Sequence, residues 1–394
     1  LRIVLATLSL LAMLLLFADF TGATHAWLGW LAQVQVVPAI MAANIAVIAG
    51  IVLVTLLLGR IYCSVICPLG ILQDAIWGSR KKHKQTYSPA KTWLRLVLLG
   101  VFCGGFAISG TAFIVALLDP YSTFGVMANN LFAPLYRWAN NLLALAAERM
   151  DSYAFYETEV WLRSVPSLVM AVVFFVIIAV LSWRGGRTYC NTICPVGTVL
   201  GVLSKYSLFK IKIDTDKCNH CGLCARGCKA SCIDSKNSTI DHTRCVDCMD
   251  CIGACKKGAI SYSLTLKRNN VKTKKGDNNI DTGRREALAI GGTLLATQAM
   301  AQAEKTTDGG LAYIEDKKVP ERSTPLVPPG SMSLQHITEK CVQCQLCVSA
   351  CPNGVLRPST SLSTFMVPMM SCDRGWCRPE WTRCAHVCAA AAIK

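Results

Sequence analysis

Of the 22 cysteines in this chain of 394 residues, eight fall into two runs of the form Cys-x2-Cys-x2-Cys-x3-Cys: Cys218, Cys221, Cys224 and Cys228, then Cys245, Cys248, Cys251 and Cys255. Three thiolates at that spacing can turn inward around one corner-sharing iron–sulfur cluster while the loop points N–H groups at the sulfides. The fourth ligand comes from elsewhere, and in two-cluster modules each run lends its last cysteine to the other cluster. Cys218, Cys221, Cys224 and Cys255 are therefore expected to hold one 4Fe-4S cluster, and Cys245, Cys248, Cys251 and Cys228 a second. A zinc module needs ligands in two pairs and leaves the third cysteine of each run idle. Lysine follows both Cys228 and Cys255 where proline is usual, and Cys232 is an extra thiol that either replaces Cys228 as ligand or packs beside the cluster.

A further pair of runs closes the chain. Cys341, Cys344, Cys347 and Cys351-Pro352 have the full spacing, but in the partner run Cys377, Cys384 and Cys388 leave Trp381 where the second thiol belongs. Indole does not ligate iron. Crossed ligation places Cys341, Cys344, Cys347 and Cys388 around one cluster and gives the other only Cys351, Cys377 and Cys384. Cys372 is the candidate fourth ligand; without it that site is labile, a three-iron cluster or empty. Ala389 stands where proline is usual.

Four more thiols sit in an internal repeat. Gly59-Arg60-Ile61-Tyr62-Cys63-x3-Cys67-Pro68-Leu69-Gly70 returns as Gly186-Arg187-Thr188-Tyr189-Cys190-x3-Cys194-Pro195-Val196-Gly197. Thiols four residues apart share a face of a helical turn, and the proline suits the first position of a new helix whose N-terminus favours a thiolate. If the two segments pack side by side, Cys63, Cys67, Cys190 and Cys194 converge at the membrane boundary. There they bind a metal or cluster, form a redox-active disulfide, or meet a substrate metal ion such as copper. The plainer alternative is a helix-ending turn with buried cysteines, and Cys103 reads as packing.

The elements that position these groups are mostly apolar. Hydrophobic residues make up 53% of the chain and charged ones 16%, outside the usual soluble range. Apolar runs over 1–17, 39–58, 93–118 and 166–183 approach the roughly 20 residues that cross a bilayer as a helix. The predicted fold class is an α-helical membrane protein with four transmembrane helices plus two small α+β iron–sulfur domains. The first run is short and lacks an initiator methionine, as in a truncated or processed chain, and no clean cleavage site marks it as a signal peptide. Arg80, Lys81, Lys82, Lys84 and Lys91 follow the second run, and Arg184 and Arg187 end the fourth, so these ends are expected in the cytoplasm. Residues 18–38 and 119–165 are expected outside, with 126–147 as a helix in the interface.

The net charge of +16 does not indicate nucleic-acid binding, because the basic residues collect beside helix ends and in a linker over 267–285. Attraction of an acidic electron carrier remains compatible with it. After that linker, Arg284-Arg285, an apolar run over 287–301 and Ala301-Gln302-Ala303 have the parts of a twin-arginine export signal, and 304–330 reads as a polar linker. The expected organisation is a membrane domain over 1–205, a cytoplasmic two-cluster domain over 206–265, linkers over 266–330 and a second cluster domain over 331–394, exported to the periplasm.

The paired Gly-Arg-x-Tyr-Cys-x3-Cys-Pro-x-Gly motifs followed by a two-cluster module resemble the NapH-type membrane ferredoxins, whose wider group includes the NosR and CcoG proteins. The part after Arg284, with Trp376-Cys377-Arg378-Pro379-Glu380, looks like the exported NapG/MauM-type ferredoxins. The resemblance implies a NapH–NapG fusion in a bacterial inner membrane, moving electrons from a quinol-linked donor to a periplasmic acceptor such as a reductase. No residue reads as a general acid or base for substrate turnover, which suits an electron-transfer subunit of an oxidoreductase system. A quinone site would lie among the helices, where His25 beside Trp27 is either a hydrogen-bond partner or an ordinary interfacial residue. The CcoG-type resemblance implies an alternative, a copper reductase or assembly factor working through the four repeat thiols.

Overall fold

The structure, a computed structural model, describes residues 2–80, 85–107, 112–151, 155–264, 307–308, 312–313, 324–373, 375–378 and 382–394. The chain forms two units, Leu1–Lys267 with Thr324–Lys394, and Arg268–Ser323. In the second unit the described residues make one small antiparallel pair, Thr307–Asp308 with Ala312–Tyr313. The paired arginines Arg284 and Arg285 and the apolar run after them lie outside the described residues, as do Lys81, Lys82, Lys84 and Trp381.

The apolar runs become helices bounded by caps and prolines. Arg2–Ala18 spans 17 residues, and Val165–Gly185, with Pro166 in its first turn, spans 21. The run expected over 39–58 is divided. Val36–Met41 ends, Ala43 takes left-handed backbone at φ 53°, and Asn44 caps Ile45–Leu58 by accepting from the Val47 N–H. The third run yields Thr92–Ala107 and Ala112–Leu118, with 108–111 outside the described residues. Among the described residues, Val165–Gly185 is the one helix long and apolar enough by itself to cross a membrane; Arg2–Ala18, Ile45–Leu58 and Thr92–Gly105 are shorter apolar helices.

The segment expected to lie in the interface over 126–147 is built differently. Asp119 caps Pro120–Met127 by accepting from the N–H groups of Tyr121 and Ser122, and every residue of that helix is buried. A π turn, Ala128–Phe132, leads into Ala133–Glu148. Only this last helix is amphipathic, with Leu135, Trp138 and Leu142 on its exposed side. The second half of the segment thus has the amphipathic pattern expected of an interface helix, while the first half is core.

Residues 206–264 form a closed α+β module. Phe209–Ile213 pairs antiparallel with Ile260–Leu264, with Ile211 opposite Tyr262, and encloses two short helices and the hairpin Ile233–Asp234 with Thr239–Ile240. The last unit repeats the plan in part: helices Leu334–Lys340, Leu346–Ala350 and Arg383–His386 around the pair Leu356–Pro358 with Pro368–Met370.

The two modules attach to opposite ends of the helices. At the C-terminal end of Val165–Gly185, the Arg187 N–H donates to the Lys229 carbonyl at 2.9 Å. At its other end, the Arg163 guanidinium donates to the Val348 carbonyl. Between these ends lies a helix of 21 residues, about 30 Å at 1.5 Å per residue. Arg2–Ala18 repeats the arrangement. Arg2 pairs with Asp74 and Asp250 at 3.6 and 4.0 Å, whereas Phe17 packs at Gly125, where an added Cβ would lie 2.3 Å from the Cys344 carbonyl oxygen.

Candidate functional site

The cysteine loops share a backbone device that no residue pattern announced. The second and fourth residues after the first cysteine are left-handed in each complete run: His220 and Gly222 (φ 54° and 73°), Asp247 and Met249 (47° and 60°), Gln343 and Gln345 (58° and 62°). The third residue after each last cysteine is left-handed too: Ser231, Gly258, Gly354 and Ala391, with φ between 50° and 62°. Left-handed backbone is uncommon outside glycine and asparagine, so its recurrence at His220, Asp247, Met249, Gln343 and Gln345 marks a fixed loop shape. Alternating right- and left-handed residues curl the chain so that N–H groups line its inside and meet sulfur. The Ala259 N–H donates to Cys255 Sγ and the Gln343 N–H to Cys341 Sγ, both at 3.3 Å.

The loops bring the thiols into crossed groups. One cavity is lined by Cys218, Cys221, Cys224 and Cys255. Another is lined by Cys341, Cys344, Cys347 and Cys388. A third is lined by Cys351, Cys377 and Cys384, and Cys372 stands outside it, exposed. Cys251 lies in the field of Cys248, Cys245 and Cys228, which groups that set on the side facing the helices. Cys232 is within it, 3.6 Å from Cys228 and hydrogen-bonded to Cys245, so it is a buried neighbour of the set. Each cavity presents several sulfurs and inward N–H groups, which suits the negative charge of a cysteine-ligated cluster. Among the described residues, no three Cys, His, Asp or Glu side chains stand close enough to hold a single metal ion.

The two repeats build one site. Each runs from a left-handed glycine through a π turn, Tyr62–Ile66 or Tyr189–Ile193, to an extended cysteine and a helix opening on proline, Pro68–Gly78 or Pro195–Ser204. The glycines are required. At Gly59 (φ 80°) an added Cβ would meet Asp247 Oδ2 at 2.2 Å, and at Gly186 (φ 65°) it would meet the Lys229 carbonyl oxygen at 2.4 Å. The Arg60 N–H accordingly donates to Asp247 at 2.8 Å, so both repeats grip the loops that carry Cys245, Cys248 and Cys228.

Cys63, Cys67, Cys190 and Cys194 converge between the repeats, each 2–4% exposed. The guanidiniums cross over: Arg187 donates to the Cys63 carbonyl, and Arg60 to the Cys190 carbonyl at 3.5 Å and toward Cys63 Sγ at 3.9 Å. The Gln73 amide donates to Cys190 Sγ, and the Gly197 N–H to Cys194 Sγ, both at 3.3 Å. Burial pushes the thiols of Cys67 and Cys194 up. Burial also works against the Arg60 charge, yet the Cys63 and Cys190 sulfurs hold it above the ordinary range. Arg187 has Asp74 as counter-ion, both contacts at 2.8 Å. No carboxylate among the described residues is in ion-pair contact with the Arg60 guanidinium, and Asp247, held on the Arg60 N–H, acts on it from further off. Negative charge on the neighbouring sulfurs would offset part of the cost of burying this cation.

A buried wedge joins this site to the last unit. The Tyr62 hydroxyl donates to Gln35 at 2.9 Å, and the Tyr189 hydroxyl to the Leu118 carbonyl at 3.4 Å, just before the Asp119 cap. From there Pro120–Met127 leads to the Cys341–Cys347 loop. Ser122 Oγ donates to the Val342 carbonyl, Tyr121 stands beside Cys344, and the amides of Asn129 and Asn130 donate to Gln345 at 3.0 Å. Sequence reasoning named Arg60 in the repeat without giving it a role and missed Gln73, Asp74, Asp119 and Tyr121. The repeat did contain a signal for two of them, because Gln73 and Asp74 have Leu200 and Gly201 as counterparts. His25 is occupied structurally, its Nδ1 lying 3.2 Å from Asp19, which caps the following turn.

Comparison with known proteins gives a class to this arrangement. A family described as a 4Fe-4S binding domain matches residues 40–85 and 167–215, one stretch around each repeat, and a second 4Fe-4S binding domain family matches 334–357. The class is that of iron–sulfur, ferredoxin-type proteins. The chain is 35% identical over 98 residues to the uncharacterized protein MJ0749 of Methanocaldococcus jannaschii, covering 25% of this chain and 39% of that one. It is 25% identical over 224 residues to the putative electron transport protein YccM of Escherichia coli, covering 56% of each. It is 26% identical over 214 residues to the ferredoxin-type protein NapH of Haemophilus influenzae, covering 52% of this chain and 62% of that one. More particularly, the chain is similar over about half its length to the ferredoxin-type proteins NapH and MauN, to the putative electron transport protein YccM and to the regulatory protein NosR. It spans 39% and 56% of the lengths of MJ0749 and YccM. No solved structure matches it.

Proposed function

We propose that the chain is a membrane-bound electron relay that carries single electrons from a cytoplasmic donor or the quinone pool to a periplasmic redox partner. The observation that carries this reading is the attachment of one cysteine module at each end of the Val165–Gly185 helix, with four buried thiols between them. A helix of about 30 Å matches the hydrocarbon thickness of a bilayer. The helices at 2–18 and 45–58, the pair at 92–107 and 112–118, and the helix at 165–185 are the four crossings in this account, the shorter ones completing their span with polar ends that snorkel or tilt. Positive charge at Arg80, Lys91 and Arg184 sets the first module in the cytoplasm of a bacterial inner membrane, and the acidic balance of 119–165 sets the last module in the periplasm.

In this reading Cys218, Cys221, Cys224 and Cys255 hold the outer cluster of the first module, and Cys245, Cys248, Cys251 and Cys228 the one facing the helices. Cys341, Cys344, Cys347 and Cys388 hold the nearer cluster of the last module. The repeat thiols Cys63, Cys67, Cys190 and Cys194 hold a further centre, which the match of a 4Fe-4S binding domain to both repeats supports. A bound cluster supplies reversible one-electron storage. The protein's own residues do the rest. Arg60, Gln73 and the helix N-termini set its potential, the buried wall excludes water, and Gly59 and Gly186 hold the neighbouring loops against it. The copper-handling alternative is less well supported, since the repeat thiols are 2–4% exposed, which leaves little access for an incoming ion.

The test is spectroscopic. Full-length chain purified anaerobically in detergent is compared with Cys63→Ser/Cys190→Ser by iron content and electron paramagnetic resonance at graded potentials. Loss of one centre with retention of the ferredoxin-type signals supports the assignment. An unchanged spectrum with lost copper-ion reduction supports the alternative.

A further inference from the structure

The last unit holds two cysteine sets and only one is complete. Cys351, Cys377 and Cys384 line a cavity whose remaining wall is largely apolar, with Pro329, Val355 and Leu356. Asn353, also in that wall, gives its amide to the Trp376 carbonyl at 2.8 Å. Cys372 lies near enough for Cys377 to feel its charge, but it is not part of the cavity lining, and both of its neighbours fix its backbone. The Ser371 N–H donates to the Val355 carbonyl at 2.8 Å, and Asp373 pairs with Arg357 at 2.6 Å, leaving the Cys372 thiol exposed. The turns after Cys351 and Cys388 are left-handed, as after the last cysteine of every other run, at Gly354 (φ 62°) and Ala391 (φ 52°), while 379–381 lie outside the described residues. The site is thus built for a cluster but offers, among the described residues, three thiolates instead of four.

We propose that Cys351, Cys377 and Cys384 alone hold a three-iron 3Fe-4S cluster, with Cys372 taking no part. An iron corner without a protein ligand has only solvent to complete its coordination, and three thiolates match the three irons of the smaller cluster. The proposal rests on the reading of the last unit as a cluster module. In the relay this cluster is the outermost centre, beside Trp376, which is 69% exposed.

The test uses the full chain, purified anaerobically in detergent, reconstituted with ferrous iron and sulfide, and examined by iron analysis and electron paramagnetic resonance of the oxidised state. The resonance of an oxidised three-iron cluster is expected in the parent and in Cys372→Ser alike, and is expected to vanish in Cys377→Ser. Trp381→Cys, which restores a thiol near the second position of the run by spacing alone, is expected to remove that resonance and add about one iron per chain. Loss of the signal or of iron in Cys372→Ser or in Glu380→Gln would reveal a fourth protein ligand and overturn the proposal. If instead neither Cys377→Ser nor Cys347→Ser alters iron content or any signal, the last unit holds no cluster and the underlying reading fails with it.

Discussion

Asp74→Asn perturbs the four-thiol site without touching a sulfur. The Asp74 carboxylate accepts from Arg187 Nε and Nη2, both at 2.8 Å, and lies 3.4 Å from Lys229 and 3.6 Å from Arg2. The substitution keeps the shape and removes the charge, so the Arg187 guanidinium, 0% exposed, loses its counter-ion. Breaking a buried pair from one side costs about 3–5 kcal/mol. Asp74 retains 11% exposure, so water relieves part of this and the lower end applies. A loss of about 3 kcal/mol lowers the melting temperature of a body this size by roughly 4 °C, at about 2.1 cal/mol/K of unfolding entropy per residue. Burial raises the Asp74 carboxyl, but Arg187 outweighs it and holds the carboxyl below its ordinary value. The pair's contribution is therefore complete above about pH 4 and is lost as the pH falls through the depressed value. Lys229 follows Cys228, so cluster loading at the Cys228, Cys245, Cys248 and Cys251 set should fall with stability. The assay is thermal unfolding in detergent by circular dichroism, with iron counted on the same samples. Asp74→Leu combined with Arg187→Met should recover part of the loss, because it leaves no lone buried charge. A midpoint for Asp74→Asn within about 2 °C of the parent at pH 7 would refute the reasoning.

Gly186→Ala should cost about 1–3 kcal/mol through left-handed strain, and it should speed protease cleavage of residues 206–264, while Gly50→Ala, whose Cβ meets nothing within 4 Å, should change neither. Gln73→Leu copies Leu200 from the second repeat and removes the donor to Cys190 Sγ; the centre at the repeat thiols should shift to a lower potential in a potentiometric titration, since a sulfur-directed donor favours the reduced, more negative state. Gln345→Ala removes an acceptor for Asn129 and Asn130 and a donor to Ser167, leaving the buried Asn129 amide unpaired at about 1–3 kcal/mol, while Asn130 keeps Val126 and Ser167. Hydrogen exchange should then rise across 324–394 and stay unchanged across 206–264.

Much of the chemistry was legible because cluster loops are written in consecutive residues. The spacing of Cys218, Cys221 and Cys224 lies within one loop, and the repeat around Cys63 and Cys190 is local as well. The groups that complete the sites come from distant segments and have no spacing to read. Arg60 meets Asn191 and Thr243, and Tyr121 meets Cys344, across more than a hundred residues. Helix lengths were misjudged where a local cap outweighed hydropathy, as at Asn44, since the run on either side stays apolar. The burial of Pro120–Met127 was hidden for a different reason. Its Tyr, Ser and Thr side chains look like a surface, but Ser122 donates to the Asp119 carboxylate and the Val342 carbonyl, Thr123 donates to the Asp119 main-chain carbonyl, and Tyr121 stands beside Cys344 inside the fold. The left-handed residues at Gln343 and Gln345 were equally hidden, because glutamine carries no preference for that backbone and the loop imposes it.

The central claim is that electrons cross the membrane through this one chain by way of the repeat thiols. The direct measurement is made in sealed proteoliposomes, with a membrane-impermeant reductant outside and an impermeant acceptor dye trapped within. The account expects the parent protein to reduce the trapped dye, and Cys63→Ser/Cys190→Ser to fail while both ferredoxin-type modules keep their clusters. Equal rates of dye reduction in the parent and the double variant would contradict it.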